Sequence, residues 1–166
     1  SNLDLAGELG VTCVMQPFVR GGKDVENLRQ ALDQRGLDIP IMAKIESRQG
    51  VERLDEILSA ADQLCIARGD LGNTMPLWQL PGVQKRIARR CREKGKPFCL
   101  VTQLLWSMEQ RAVPTRAEVC DIYNAVLDGS DALMLTGETA AGRYPVQAME
   151  YLVKTARSAL STGRAG

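Results

Sequence analysis

Five short apolar runs, each followed by polar residues and then a helical pattern, constrain this chain's fold more than any other feature. The runs are Val11–Met15, Ile39–Ile45, Gln63–Ala67, Pro97–Thr102 and Asp131–Leu135. Their starts recur about every 24 to 34 residues, the pace of βαβ units with right-handed crossovers. The connecting helices are expected at Lys23–Gln34, along the stripe Val51, Leu54, Ile57, Leu58 and Ala61, over Pro76–Lys94, and after Pro114-Thr115 as far as Asp128-Gly129. Leu3–Leu9 reads as the tail of a helix stopped by Gly10, Gln103–Glu109 as a short helix, and Val146–Leu160 as a terminal helix with frayed residues after it. Pro81 should break or restart the third connecting helix. Thr115 with Glu118 three residues on forms a capping-box pattern. The fold class is therefore α/β, with about five parallel strands alternating with helices. No G-x-G-x-x-G follows the first strand, which argues against a dinucleotide-binding sheet. Polar residues gather after nearly every strand: Arg20, Lys44 with Glu46, Arg68 with Asp70, Thr102 with Gln103, Thr136 with Glu138. An eight-stranded barrel collects them on one face in this way. Five strands cannot close such a barrel, so the residues alone leave a partial barrel or an open parallel sheet.

The second and third strands carry the chemistry. Ile39–Ile45 ends in Lys44 and Glu46, and Gln63–Ala67 ends in Arg68, Gly69 and Asp70. Residues two apart on a strand project to the same side, so Lys44 and Glu46 share a face. If the two strands are neighbours, Asp70 can meet them. Two carboxylates and a lysine suit a divalent metal holding an anionic substrate. Plainer readings stand beside this one. Lys44 and Glu46 could be a solvated strand edge, Asp70 a turn residue or helix cap, and Thr102 the end of a strand.

Composition narrows the classes. The chain has 166 residues, a length normal for one domain with a real core. It contains no histidine, which removes histidine triads, histidine-ligated zinc and a histidine general base. A net charge of +1 and the lack of a basic stripe among aromatics argue against nucleic acid. No apolar run reaches membrane-span length, and no signal-peptide pattern opens the sequence. The five cysteines include no CxxC pair, so buried, reduced thiols in a cytoplasmic protein are expected. The sequence begins Ser1-Asn2 rather than with methionine, so a trimmed chain or a fragment is expected.

Several motifs together resemble the pyruvate kinase family. They are AKIE at Ala43–Glu46, ARGDLG at Ala67–Gly72, GKP at Gly95–Pro97, TQLLWSM at Thr102–Met108, PTRAEVCDIYNAVLDGSDALML at Pro114–Leu135 and GETAAGRYP at Gly137–Pro145. Their order and spacing match as well. The likeness covers nearly the whole chain, 1–166, and only the second half of the family's barrel, from its fourth strand to its eighth strand and last helix. It implies a partial (β/α)8 TIM barrel, with the family's lid and C-terminal regulatory domain outside this chain.

The resemblance implies transfer of a phosphoryl group from phosphoenolpyruvate to ADP, giving pyruvate and ATP in glycolysis, with Mg²⁺ (or Mn²⁺) and usually K⁺. It makes Lys44 the group that stabilises charge on the transferring phosphoryl and the enolate. Glu46 and Asp70 become the metal ligands. The backbone of Gly69 and Asp70 would hold the substrate carboxylate, and Thr102 would stand beside the carbon that is protonated. Most K⁺ ligands and a phosphate-gripping arginine belong to the family's first three strands. An oligomer or companion chain completing the barrel is therefore expected. The chain also departs from the family pattern. Pro17 stands where a serine usually precedes Phe-Val-Arg, Ser47 and Gln49 replace Asn and Glu, and Asn73-Thr74-Met75 replaces Val-Glu-Ile. Trp106 replaces a Glu and Thr136 a serine. Lost supporting groups weaken a metal site by about one or two orders of magnitude. Two rival readings stand: the drift motivates a non-catalytic remnant acting as a binding or scaffold module, and Lys44, Glu46 and Asp70 would also serve a metal-dependent aldolase or decarboxylase working through a pyruvate enolate.

Overall fold

The computed structural model describes residues 2–163. The fraying expected at the end of the chain falls outside them. The chain divides into two compact units, one ending at Pro97 and one beginning at Phe98. Between them they hold five strands alternating with helices, and the strand pairs within each unit run parallel.

In the first unit, β1 (Val14–Gln16), β2 (Ile41–Ile45) and β3 (Gln63–Ala67) lie side by side in chain order. Ile41, Ala43 and Ile45 of β2 are fully buried, and Met42 and Lys44 point to the other face and are half-buried. β3 is buried from Leu64 through Ala67. Asp62 pins the start of β2: its Oδ2 accepts from Ile41 N at 2.7 Å and pairs with the Arg29 guanidinium. Arg29 also donates to the carbonyl of Ile39 at 3.1 Å.

Helix α1 (Gly22–Asp33) follows β1 and packs on α3. Gly22 makes this possible, since a Cβ there would lie 3.0 Å from the Glu56 carbonyl oxygen. The single stripe from Val51 to Ala61 folds as two short helices, α2 (Arg48–Glu52) and α3 (Leu54–Ala60), parted at Arg53 with φ −103 and ψ 27. Each half has its own buried face, Gly50 and Val51 in one, Leu54, Ile57 and Leu58 in the other. The turn of helix after β3 is α4 (Arg68–Gly72). A 3₁₀ turn, Leu77–Gln79, precedes α5 (Leu80–Glu93), so the helical stretch restarts at Pro81 as expected, with the proline in the first turn of α5, where its missing N–H costs nothing. Gly95, at φ +62, ends α5.

In the second unit, β4 (Phe98–Val101) pairs with β5 (Ala132–Met134), Val101 opposite Met134. A 3₁₀ turn, Trp106–Glu109, stands where a short helix was expected. Helix α6 (Arg116–Leu127) opens with the expected capping box. Glu118 reaches further and also accepts from the N–H and hydroxyl of Ser107 at 2.7 and 2.6 Å. Burial by itself pushes the Glu118 carboxyl up, but these bonds and those from Thr115 outweigh it and hold the group below its ordinary range. Helix α7 (Gly137–Ala140) follows β5, and α8 (Pro145–Gly163) packs along α6.

The first strand starts later than its apolar run suggests, at Val14, and the N-terminal segment is a 3₁₀ turn over Asn2–Leu5. Cys65, Cys91 and Cys99 are buried and Cys13 half-buried, while Cys120 is exposed, unlike the buried thiols expected. No helix among the described residues is long and apolar enough to cross a membrane.

Candidate active site

The strongest concentration of polar chemistry in the first unit lies where β2 stops. Lys44 is its fourth residue, and Glu46 follows its last. The alternation of the strand places both on one side, and Lys44 Nζ sits 2.7 Å from Glu46 Oε1. Glu46 is 2% exposed, so the solvated-edge reading fails for it. A buried carboxylate requires charge compensation and hydrogen bonds. Lys44 supplies the first. The second comes from the loop after β1, where Phe18 N donates to Glu46 Oε2 at 2.7 Å. Phe18 makes this bond at φ +50, a left-handed conformation that a bulky residue rarely adopts.

Gly50 seats that loop. A Cβ there would lie 2.7 Å from the Val19 carbonyl oxygen. Ser47 caps α2 by accepting from Gly50 N at 3.1 Å, which turns the chain into the helix directly after Glu46. The Ser-x-x-Gly pattern thus brings the backbone of two successive βα units into contact.

Gly69 and Asp70 lie in α4, immediately after β3. β2 and β3 pair with Ile45 opposite Ile66, so the turn carrying Asp70 begins level with Glu46. Asp70 is exposed, and its carbonyl oxygen accepts from Asn73 N at 3.0 Å. Thr74 stands where a carboxylate was expected from the family pattern, and its hydroxyl folds back onto the carbonyl of Leu71 at 2.8 Å. Thr102 belongs to the second unit, directly after β4, at φ +76. Its hydroxyl donates to the carbonyl of Val101 at 2.6 Å. Gln103 follows at φ +55.

A hard divalent cation suits the Glu46–Asp70 pair by donor type. Glu46 already faces a cation, the Lys44 ammonium. Among the described residues no group of three or more His, Cys, Asp or Glu side chains is placed to hold a metal. Magnesium as a rule keeps several waters and takes one or two carboxylates plus substrate oxygens.

Two participants were not assigned from the sequence. The Phe18 amide carries no side-chain signal, and only the small residue at Gly50 hints at the close approach. Glu138 shows in the sequence only as a polar residue after the fifth strand. It is 1% exposed, and its Oε1 accepts from Leu105 N at 3.1 Å and its Oε2 from Thr136 N at 2.8 Å.

Parallel βα units with a lysine–glutamate ion pair at a strand end define an α/β protein of the barrel type. Comparison with known proteins makes the class specific. The sequence profile of the family described as pyruvate kinase, barrel domain, matches residues 1–149, and the chain belongs to that family. Its parallel strands and helices are those of a partial (β/α)8 barrel. The pyruvate kinase of Kluyveromyces lactis is 46% identical over 156 residues, 94% of this chain and 31% of that protein. That of Schizosaccharomyces pombe is 46% identical over 150 residues, 90% of this chain and 30% of the relative. That of Geobacillus stearothermophilus is 48% identical over 142 residues, 85% of this chain and 24% of the relative. The chain therefore spans a third or less of the length of these relatives.

Proposed function

We propose that this chain supplies part of the active site of a pyruvate kinase, which transfers a phosphoryl group between phosphoenolpyruvate and ADP. The observation that carries the reading is the ion pair of half-buried Lys44 with buried Glu46 at the end of β2, level with the turn that holds Gly69 and Asp70. Phosphoryl transfer asks a protein for positioning and charge cancellation more than for covalent chemistry. Glu46 and Asp70 would hold Mg²⁺, which when bound polarises the substrate oxygens. The amides of Gly69 and Asp70 would fix the substrate carboxylate, and Gly69 lets that backbone come close. Lys44 would stabilise charge on the phosphoryl and enolate oxygens. Thr102 would stand near the carbon that gains a proton. K⁺ would find most of its ligands beyond these residues.

A companion surface belongs to this reading. Two strands are poorly covered: β1 in the first unit is half-buried throughout and Ala132 of β5 in the second is exposed, whereas β4 is buried at all four positions. A second chain or copy that completes the barrel would cover them. Light scattering on a folded sample should show association, and a monodisperse folded monomer would refute it.

The test of the site is Mn²⁺ binding with and without oxalate, a mimic of the pyruvate enolate, on this chain and on Asp70→Ala. Binding that oxalate strengthens and the substitution abolishes supports the reading. A folded chain that binds neither ion nor oxalate favours a non-catalytic module. Oxaloacetate decarboxylation lost in Asp70→Ala, without kinase turnover, favours the decarboxylase reading.

A further inference from the structure

Thr102 and Gln103 are consecutive residues at positive φ, 76 and 55. A β-branched residue in that region is an outlier that persists only when its surroundings impose it. The residues after them are anchored at two points. Leu104 and Leu105 are fully buried, and the Leu105 amide is held by a carboxylate from beyond β5.

That carboxylate is Glu138. It lies on α7, four residues past the end of β5. Oε1 accepts from Leu105 N at 3.1 Å. Oε2 accepts from Thr136 N at 2.8 Å and from the Thr136 hydroxyl at 3.4 Å. Among the described residues neither lysine nor arginine pairs with it. All its compensation is therefore from hydrogen-bond donors, and two of these are backbone amides on separate loops. A buried carboxylate with two oxygens spans two loops in a way that a neutral amide cannot, because an amide offers one acceptor and one donor.

The packing around Glu138 fixes it in turn. A Cβ on Gly142 would lie 2.4 Å from the Glu138 carbonyl oxygen, and one on Gly137 would lie 2.1 Å from Glu109 Oε1. Arg143 N donates to the Glu109 carbonyl at 2.9 Å. Helix α7 is thus seated against the 3₁₀ turn that continues the Thr102 loop.

We infer that Glu138 is the positioning residue for Thr102: by tying the Leu105 amide to the start of α7 it holds the loop after β4 in the left-handed conformation that sets the Thr102 hydroxyl. The functional half of this inference rests on the reading of Thr102 as a residue beside the reacting carbon. The structural half does not.

A double-mutant cycle between Glu138→Gln and Thr102→Gly, followed by thermal unfolding of this chain, separates the two. Glycine adopts positive φ without strain. In the parent chain Thr102→Gly should raise the unfolding midpoint, by about 3 °C for a chain of this size. In the Glu138→Gln background the loop is released, and the same substitution should give no rise. An equal rise in both backgrounds would overturn the inference and leave the buried leucines as what holds the turn. Should Glu138→Gln fail to fold, Glu138→Asp serves in the same cycle, because its shorter arm keeps the charge but cannot span both amides. In a preparation that turns over phosphoenolpyruvate, Glu138→Gln should lower kcat by on the order of tenfold to a hundredfold. Its KM should stay within about twofold, since only the protonation step is displaced. A fall in stability with kcat unchanged would make Glu138 structural only. A completed barrel without turnover would count against the functional reading alone, and the cycle would still decide whether Glu138 holds Thr102.

Discussion

Gly50→Ala tests the contact that seats the loop after β1 on the Lys44–Glu46 site. Helix propensity alone favours alanine over glycine by about 1 kcal/mol, so a reader of the sequence expects stabilisation. The geometry reverses the sign. The new methyl carbon would lie 2.7 Å from the Val19 carbonyl oxygen. A carbon and an oxygen settle at about 3.3 Å or more, so the loop must retreat by at least ~0.6 Å. Forced displacements of this kind cost about 1–3 kcal/mol. The retreat also lengthens the Phe18 N–H contact to Glu46 Oε2, now 2.7 Å, towards the limit of a hydrogen bond. A buried carboxylate left short of one donor adds about 1 kcal/mol or more. Set against the propensity gain, the net loss should be about 1–3 kcal/mol. Urea denaturation measures it, with an unchanged slope showing that the native state stays compact. Mn²⁺ affinity should fall alongside, because Glu46 loses its fixed orientation. A Gly50→Ala chain as stable as the parent, or more so, would refute the close contact and the role given to it.

Other substitutions test other parts of the chain. Lys44→Met should destabilise by about 3 kcal/mol, since it strands the Glu46 carboxylate in a buried site; adding Glu46→Gln should restore part of that loss in the same denaturation assay. Glu118→Ala should cost more than Thr115→Ala, which removes only a cap of about 1 kcal/mol, because Glu118 also holds Ser107. The Asp62 and Glu118 carboxyls both titrate below their ordinary values in the folded chain, burial opposing and hydrogen bonds prevailing. Their contribution is therefore fully present above the unfolded values of about 4 and is lost as pH falls through the lower folded ones. Unfolding midpoints should decline from about pH 4.5 downward, and Glu118→Gln should flatten that decline.

The alternation of strands and helices was legible because each element buries a regular stripe, and periodicity is a local property of sequence. Ile41, Ala43 and Ile45 announce β2, and Thr115 with Glu118 announces the start of α6. The irregular parts were not legible, because what decides them lies far along the chain. Nothing between Val51 and Ala61 signals a break at Arg53; two separate buried faces impose it. The 3₁₀ turn at Trp106–Glu109 replaces a helix because Ser107 is claimed by Glu118, eleven residues on. The same holds for the site. Lys44 and Glu46 could be paired on paper from their spacing, but burial of Glu46 depends on Phe18, which is 28 residues away.

The two buried glutamates follow one rule. Glu46 lies just past β2 and accepts from an amide in the loop after β1; Glu138 lies just past β5 and accepts from an amide in the loop after β4. The separations are 28 and 33 residues, one βα unit in each case. Each glutamate thus reaches back to the loop of the adjacent parallel strand, and each loop so held contains residues at positive φ: Phe18 in one, Thr102 and Gln103 in the other. The reason is geometric. Parallel strands all end on the same side, so the first residues past neighbouring strands stand side by side, and a carboxylate there can meet the neighbour's unpaired amides. Its two oxygens take one donor from the neighbouring loop and one partner closer in sequence, Lys44 for Glu46 and Thr136 for Glu138. Backbone strain stored in those loops is then balanced by the bond each buried carboxylate makes to the loop's amide. Replacing either glutamate should release the strained loop it holds and leave the other loop unchanged, which backbone chemical shifts of Phe18 and Thr102 in the two variants would read directly.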